Sequence, residues 1–183
     1  MKKVIAIMLS LILVFSFSAC SKNKNDDNNT EEITTVSNIK INNIFYSNND
    51  NDDTSSVYIE YTVSASQTED ITYGDEAKIK TNYGETGSSL FIWDKYKDLV
   101  ERAGFPVLIN YQTLYAGSEK TLGYIAHFTV NKRCISNDET MTLIVPNNKT
   151  NDSIDFCISK SNAKSFTNDQ ELETLFYDTY NIE

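Results

Sequence analysis

The chain has 183 residues, 26 acidic against 16 basic side chains, a net charge of −10 and a single histidine. So acidic a protein is repelled by phosphate backbones and by anionic headgroups, which argues against nucleic acid as a partner and against a basic membrane-binding patch. One histidine gives Cys–His or Ser–His–Asp catalysis a single available base, and gives a metal site no second imidazole.

From the N-terminus, Lys2 and Lys3 precede an apolar run from residue 4 to 19 that closes Phe17-Ser18-Ala19-Cys20. Two cations, a short apolar segment and small residues before a junction are the pattern of an export signal. With Cys20 at the junction, the stretch resembles a bacterial lipoprotein signal, with Phe17 where leucine is commoner. The resemblance implies cleavage before Cys20, lipidation of Cys20, and an extracytoplasmic domain anchored by that lipid to the bacterial cell membrane. A retained membrane helix is the other reading, but the run is short of the ~20 residues a bilayer span needs and ends on Ser-Ala-Cys rather than a charged stop. Residues 1–19 are therefore read as signal peptide. Their removal takes away two lysines and no acid, so the 164 residues left carry −12.

Residues 20–32 are the lipidated Cys and a polar tether. From Ser21 to Glu32 there is no apolar residue, so nothing offsets the entropy of ordering it. As a coil its ends lie about 20 Å apart, which keeps the domain near the membrane. Residues 33–183 suit one domain, long enough to bury about 70% of its unfolded surface.

Within it, short β-type runs alternate with polar clusters. In 36–46, Ile39, Ile41 and Phe45 share a face, while Ile44 falls off the alternation and predicts a bulge near Asn42-Asn43. After a polar loop at 47–55, residues 56–65 put Val57, Ile59, Tyr61, Val63 and Ala65 on one face and Tyr58, Glu60, Thr62 and Ser64 on the other, the period-two pattern of a half-buried strand. A weaker strand region, 71–81, leads to a turn through Gly84 and Gly87. After an apolar run at 90–93 the period changes: Tyr96, Leu99, Val100 and Ala103 recur at helical spacing, with Asp94 as N-cap, Gly104 as stop and Pro106 beyond. Lys97–Glu101 and Asp98–Arg102 are opposite-charge pairs four apart. Strands resume at 107–115, 122–130, 140–145 and 153–159. Leu172, Leu175, Phe176 and Thr179 then mark a C-terminal helix, with Asn168 and Glu171 as a capping box and Asp169 in its first turn. The expectation is a mainly β, antiparallel sandwich with one inserted helix and a C-terminal helix.

The run Val57-Tyr58-Ile59-Glu60-Tyr61-Thr62-Val63 resembles an early strand of the immunoglobulin-like domains of unknown function found in bacterial lipoproteins. Leu114-Tyr115-Ala116-Gly117-Ser118, running on through residues 122–130, resembles the later turn and strand of that family, which usually has proline where this chain has Ala116. The resemblance implies an immunoglobulin-like sandwich. It brings no catalytic residues.

Cys134 and Cys157 form an even pair in an exported chain, which permits a disulfide worth about 3 kcal/mol of loop closure; two free thiols are the alternative. His127 falls on the face opposite Phe128, which predicts an exposed sheet position. The run 48–53 places side-chain oxygens at alternate positions, as calcium favours, but lacks the Gly and distal Glu of an EF-hand loop and is read as a solvated acidic turn. No residues are assigned to catalysis, to a metal or to a cofactor. With eleven Tyr, nine Phe and Trp93, and Tyr58 on the outer face of its strand, the domain is expected to act by binding an envelope protein. A carbohydrate-binding module is the second reading and a hydrolase using paired carboxylates the third.

Overall fold

The computed structural model describes residues 38–48, 53–73, 77–88, 100–105 and 111–182. The signal, Cys20, the tether and residues 49–52 of the acidic loop lie outside the described residues. What is described is mainly β, with largely antiparallel sheets.

In the first sheet, β1 (Ile39–Ser47) pairs antiparallel with β2 (Thr54–Ser64), and β7 (Thr121–Asn131) pairs antiparallel with the whole far edge of β2. A short β10 (Lys164–Phe166) joins β1 in parallel, the one departure from the antiparallel expectation. The second sheet runs β5 (Gly84–Gly87), β4 (Lys78–Thr81), β8 (Met141–Val145), β9 (Asp152–Phe156), all antiparallel. A two-stranded ribbon of β3 (Ile71–Tyr73) and β6 (Gln112–Leu114) completes the strands. A one-turn α1 (Lys132–Ser136) follows β7, and α2 (Asp169–Tyr180) follows β10.

The alternation in β2 does what period two dictates. Val57, Ile59, Tyr61 and Val63 are buried, and they meet Ile79, Leu143 and Val145 of the second sheet in one apolar core. Region 71–81 is not one strand: it supplies β3 and β4 to different sheets. Gly84 and Gly87 bound β5 rather than a turn, and the chain reverses through Asn82 and Tyr83 instead.

A second apolar cluster lies on the opposite face of the first sheet. Phe45, Tyr58, Ile125 and Phe166 are covered there by Leu172 and Phe176 of α2 and by Val100. The start of α2 follows the capping logic with one shift. Asn168 Oδ1 accepts from the Glu171 N–H at 3.0 Å, while Glu171 reaches past the cap to accept from the Thr167 N–H (2.7 Å) and hydroxyl (2.9 Å). Residues 100–102 are helical and end where expected. Gly104 takes φ +86°, its N–H donates to the Glu101 carbonyl, and the Phe105 N–H donates to the Val100 carbonyl, the paired bonds of a glycine-terminated helix.

Candidate functional site

The chemistry-bearing side chains of the β2–β7 pair are not on the surface. His127, expected to be exposed, is 6% exposed, and Tyr58, expected on an open outer face, is 5% exposed. The reason is tertiary: α2 folds back over that face, so both sides of β2 are buried. The His127 ring stacks on Tyr58 at 4.6 Å. Both ring nitrogens lie buried without a hydrogen-bond partner. Burial, and then the Asp169 carboxylate, pushes the Tyr58 phenol up to about 12.

Burial also holds the His127 imidazole below its ordinary range. The folded chain therefore keeps it neutral where the unfolded chain, with a pKa of about 6.5, takes up a proton. That contribution to stability is complete above about pH 6.5 and is lost as the pH falls below it. Urea midpoints measured from pH 8 to pH 5 are expected to fall, and His127→Phe, which keeps the stacking and removes the titration, should flatten the decline. An unchanged slope in the variant would assign it to other groups.

Glu60 is the second buried group, at 8% exposure. The bulge predicted at Asn42-Asn43 is present, with the register shifting between Ile41 and Asn43. It turns two successive amides onto the same carboxylate. Asn42 Nδ2 donates to Oε1 at 3.3 Å, and Asn43 Nδ2 donates to Oε2. The Tyr180 hydroxyl at the end of α2 also donates to Oε2, at 2.9 Å. Burial, then the Glu60 charge, holds the Tyr180 phenol far above its usual range, so it remains a donor. Three donors on one carboxylate make this a structural tie between sheet and helix.

Cys134 lies in the inter-sheet core and Cys157 is half-buried, with no disulfide between them. The bridge that an even pair permits is thus not formed in this structure. Cys134 is instead an apolar core residue, and burial pushes its thiol up from the ordinary range. Of the acidic run, Asp53 is described, and its carbonyl accepts from the Lys132 N–H at 3.0 Å. No group of three potential metal ligands occurs among the described residues.

The described surface offers two features. One is a groove of about 640 Å³ where Lys132, Lys160 and Ser159 stand over Tyr46, Ile135 and Ile158, with Asp138 at its rim. The other is a set of exposed tyrosines, Tyr83, Tyr111 and Tyr115. Tyr83 is tied through its hydroxyl to Glu139 at 3.1 Å. Tyr111 and Tyr115 flank β6 at 74% and 67% exposure. Neither was singled out by residue type, since nineteen other Tyr, Phe and Trp residues are present; the available cue was the i, i+4 spacing around Thr113.

No protein-family model matches the chain, and no curated protein matches it. Among solved structures, a "putative lipoprotein" from Staphylococcus aureus is similar at 18% identity and a TM-score of 0.37, over 70% of this chain and 88% of that one. At that identity and TM-score the likeness assigns neither fold nor activity to this chain.

Proposed function

We propose that this chain is a bacterial envelope lipoprotein, anchored by lipid on Cys20, whose immunoglobulin-like β-domain acts by binding and not by catalysis. The observation that carries the binding half is the burial of His127 and Glu60 between sheet and helix, where neither can reach a substrate. The exposed side chains that stand out are tyrosines, which supply contact area at low entropic cost. The two sheets packed around one core support the sandwich reading. After processing, a charge of −12 favours a basic or neutral envelope partner, a protein in the first instance, and makes association salt-sensitive. The paired-carboxylate hydrolase is disfavoured because Glu60, the one buried carboxylate among the described residues, is already held by three donors.

Two acyl chains on Cys20 give stable membrane attachment, since each buried CH₂ contributes about 0.8 kcal/mol. Cys20→Ala is expected to abolish lipidation and leave unprocessed or released protein. A variant that fractionates and is processed like the parent would remove the anchor from the reading. Pull-down from intact envelopes should recover a saturable partner, whereas turnover of a hydrolase substrate, abolished by one acidic substitution in a folded variant, would replace binding by catalysis.

A further inference from the structure

We propose that the outer face of the β3–β6 ribbon binds a neutral oligosaccharide. This deepens the binding reading above and rests on it.

Strand pairing decides which side chains share this face. Ile71 pairs with Leu114, Thr72 with Thr113 and Tyr73 with Gln112. Ile71, Tyr73 and Leu114 are buried on the inner side. Alternation therefore turns Thr72, Tyr111, Thr113 and Tyr115 outward. Continuing the register sets Asp70 opposite Tyr115. The two tyrosines flank β6, four residues apart, about 13 Å at the rise of an extended chain, a span that suits a short oligosaccharide rather than one sugar ring. Between them the Thr72 and Thr113 hydroxyls meet at 2.8 Å.

The platform is held rigid. The Ser118 N–H donates to the Tyr115 carbonyl, and Gly117 has φ +69°, the geometry of a type II turn with glycine at its third position. The Gly117 N–H donates to the Ser66 carbonyl at 2.8 Å, and the Ala116 N–H donates to Asp70 Oδ1 at 2.8 Å. Proline, usual at this position in the domains the sequence resembles, has no N–H and could not make the Asp70 bond. Ala116 thus fixes Asp70 beside Tyr115. A face fixed before binding loses little conformational entropy when a ligand arrives.

The class of ligand follows from what the face carries. Tyrosine presents an apolar ring with a polar tip, which matches a pyranose with a C–H face and hydroxyl edges. The hydrogen-bonded pair of threonine hydroxyls keeps one free donor and its unused lone pairs, which match a polyol. In a chain of charge −10, the described residues of this face include one charged group, Asp70, and one of its oxygens already accepts from the backbone. Among the described residues of this face, Asp70, Thr72, Tyr111, Thr113 and Tyr115, there is no aliphatic side chain to anchor an apolar protein surface.

The test is isothermal titration of the full-length chain, in a detergent without a sugar headgroup, with cellohexaose, chitohexaose, mannohexaose and xylohexaose. At least one should bind saturably. Because both rings are exposed, Tyr111→Ala and Tyr115→Ala should fold and melt like the parent, and each should bind about tenfold more weakly. Thr113→Val should weaken binding less. Failure of all four sugars to bind, or binding indifferent to both tyrosines, would overturn the proposal. If envelope-protein capture survives in that case, the broader binding reading stands without the glycan. Loss of a protein partner, of self-association in sedimentation, or of vesicle flotation in the tyrosine variants, without sugar binding, would assign the face to that other partner and equally overturn it. Hydrolysis of a bound sugar would remove the binding-only reading as well.

Discussion

Phe176→Ala is expected to destabilise the domain by about 3–5 kcal/mol, the usual cost of emptying a fully buried aromatic site. Phe176 is 1% exposed. Its ring stacks on Phe45 at 5.1 Å, meets Tyr58 edge-on at 6.3 Å and lies 5.5 Å from Tyr180. Phe176 is thus, with Tyr180, a residue through which α2 reaches both β1 and β2. The helix is short, at 12 residues, and helices of that length hold little structure alone, so α2 depends on this contact more than on propensity. Urea unfolding measures the loss, and hydrogen exchange across 169–180 should accelerate before the inter-sheet core does. A loss below about 1 kcal/mol would show that the sheet holds its outer face together without the helix.

Glu60→Ala should cost about 3 kcal/mol, by a different route. Removing the carboxylate leaves two amides and a phenol without their acceptor, and each buried group left unpaired costs about 1–3 kcal/mol, reduced where water can enter. Glu60→Gln keeps an acceptor oxygen of the same shape and should cost less. The tie to the helix can be isolated by a double-mutant cycle of Glu60→Ala with Tyr180→Phe. Coupling of about 1 kcal/mol or more is expected between directly bonded groups. A cycle that closes with no coupling would show that Tyr180 docks by its ring alone, against Phe105 at 5.4 Å and Phe176.

These two residues also mark where sequence reasoning reached and where it stopped. The inner face of β2 was legible because the side-chain period of a strand is two and the apolar set follows it over five alternate positions, from Val57 to Ala65. The bulge was legible because Ile44 breaks that period on β1. The Asn168 cap and the Gly104 stop were legible because orphan backbone groups at helix ends are satisfied by local residues. All of these depend on neighbours in the chain.

The outer face of the first sheet was misjudged for the complementary reason. Tyr58, Glu60 and His127 alternate with apolar residues, and alternation says only that they face away from the inner core. Whether water or another layer lies there depends on where residues 169–180 return, more than 40 positions after His127. The same return explains why Glu60 tolerates burial: its donors come from the bulge and from Tyr180, at separations of 17, 18 and 120 residues. No local pattern records such partners. The short β10 and α1 were missed because three-residue and five-residue elements carry too few residues for any period to show.

What the sequence by itself determined is local in origin: the acidic balance, the apolar N-terminal run that ends at Cys20, the strand faces, the bulge and the helix ends, each set by composition or by neighbours within a few positions. What only the tertiary structure decided is which of those faces meets water. It buried the one histidine and tied down Glu60, and it left Tyr111 and Tyr115 exposed at the two ends of β6, whose register, fixed by residues some 40 positions away, sets the Thr72 and Thr113 hydroxyls side by side. Burial is a property of contacts between distant segments, and the free energy that selects them is summed over the whole core rather than written in any single stretch.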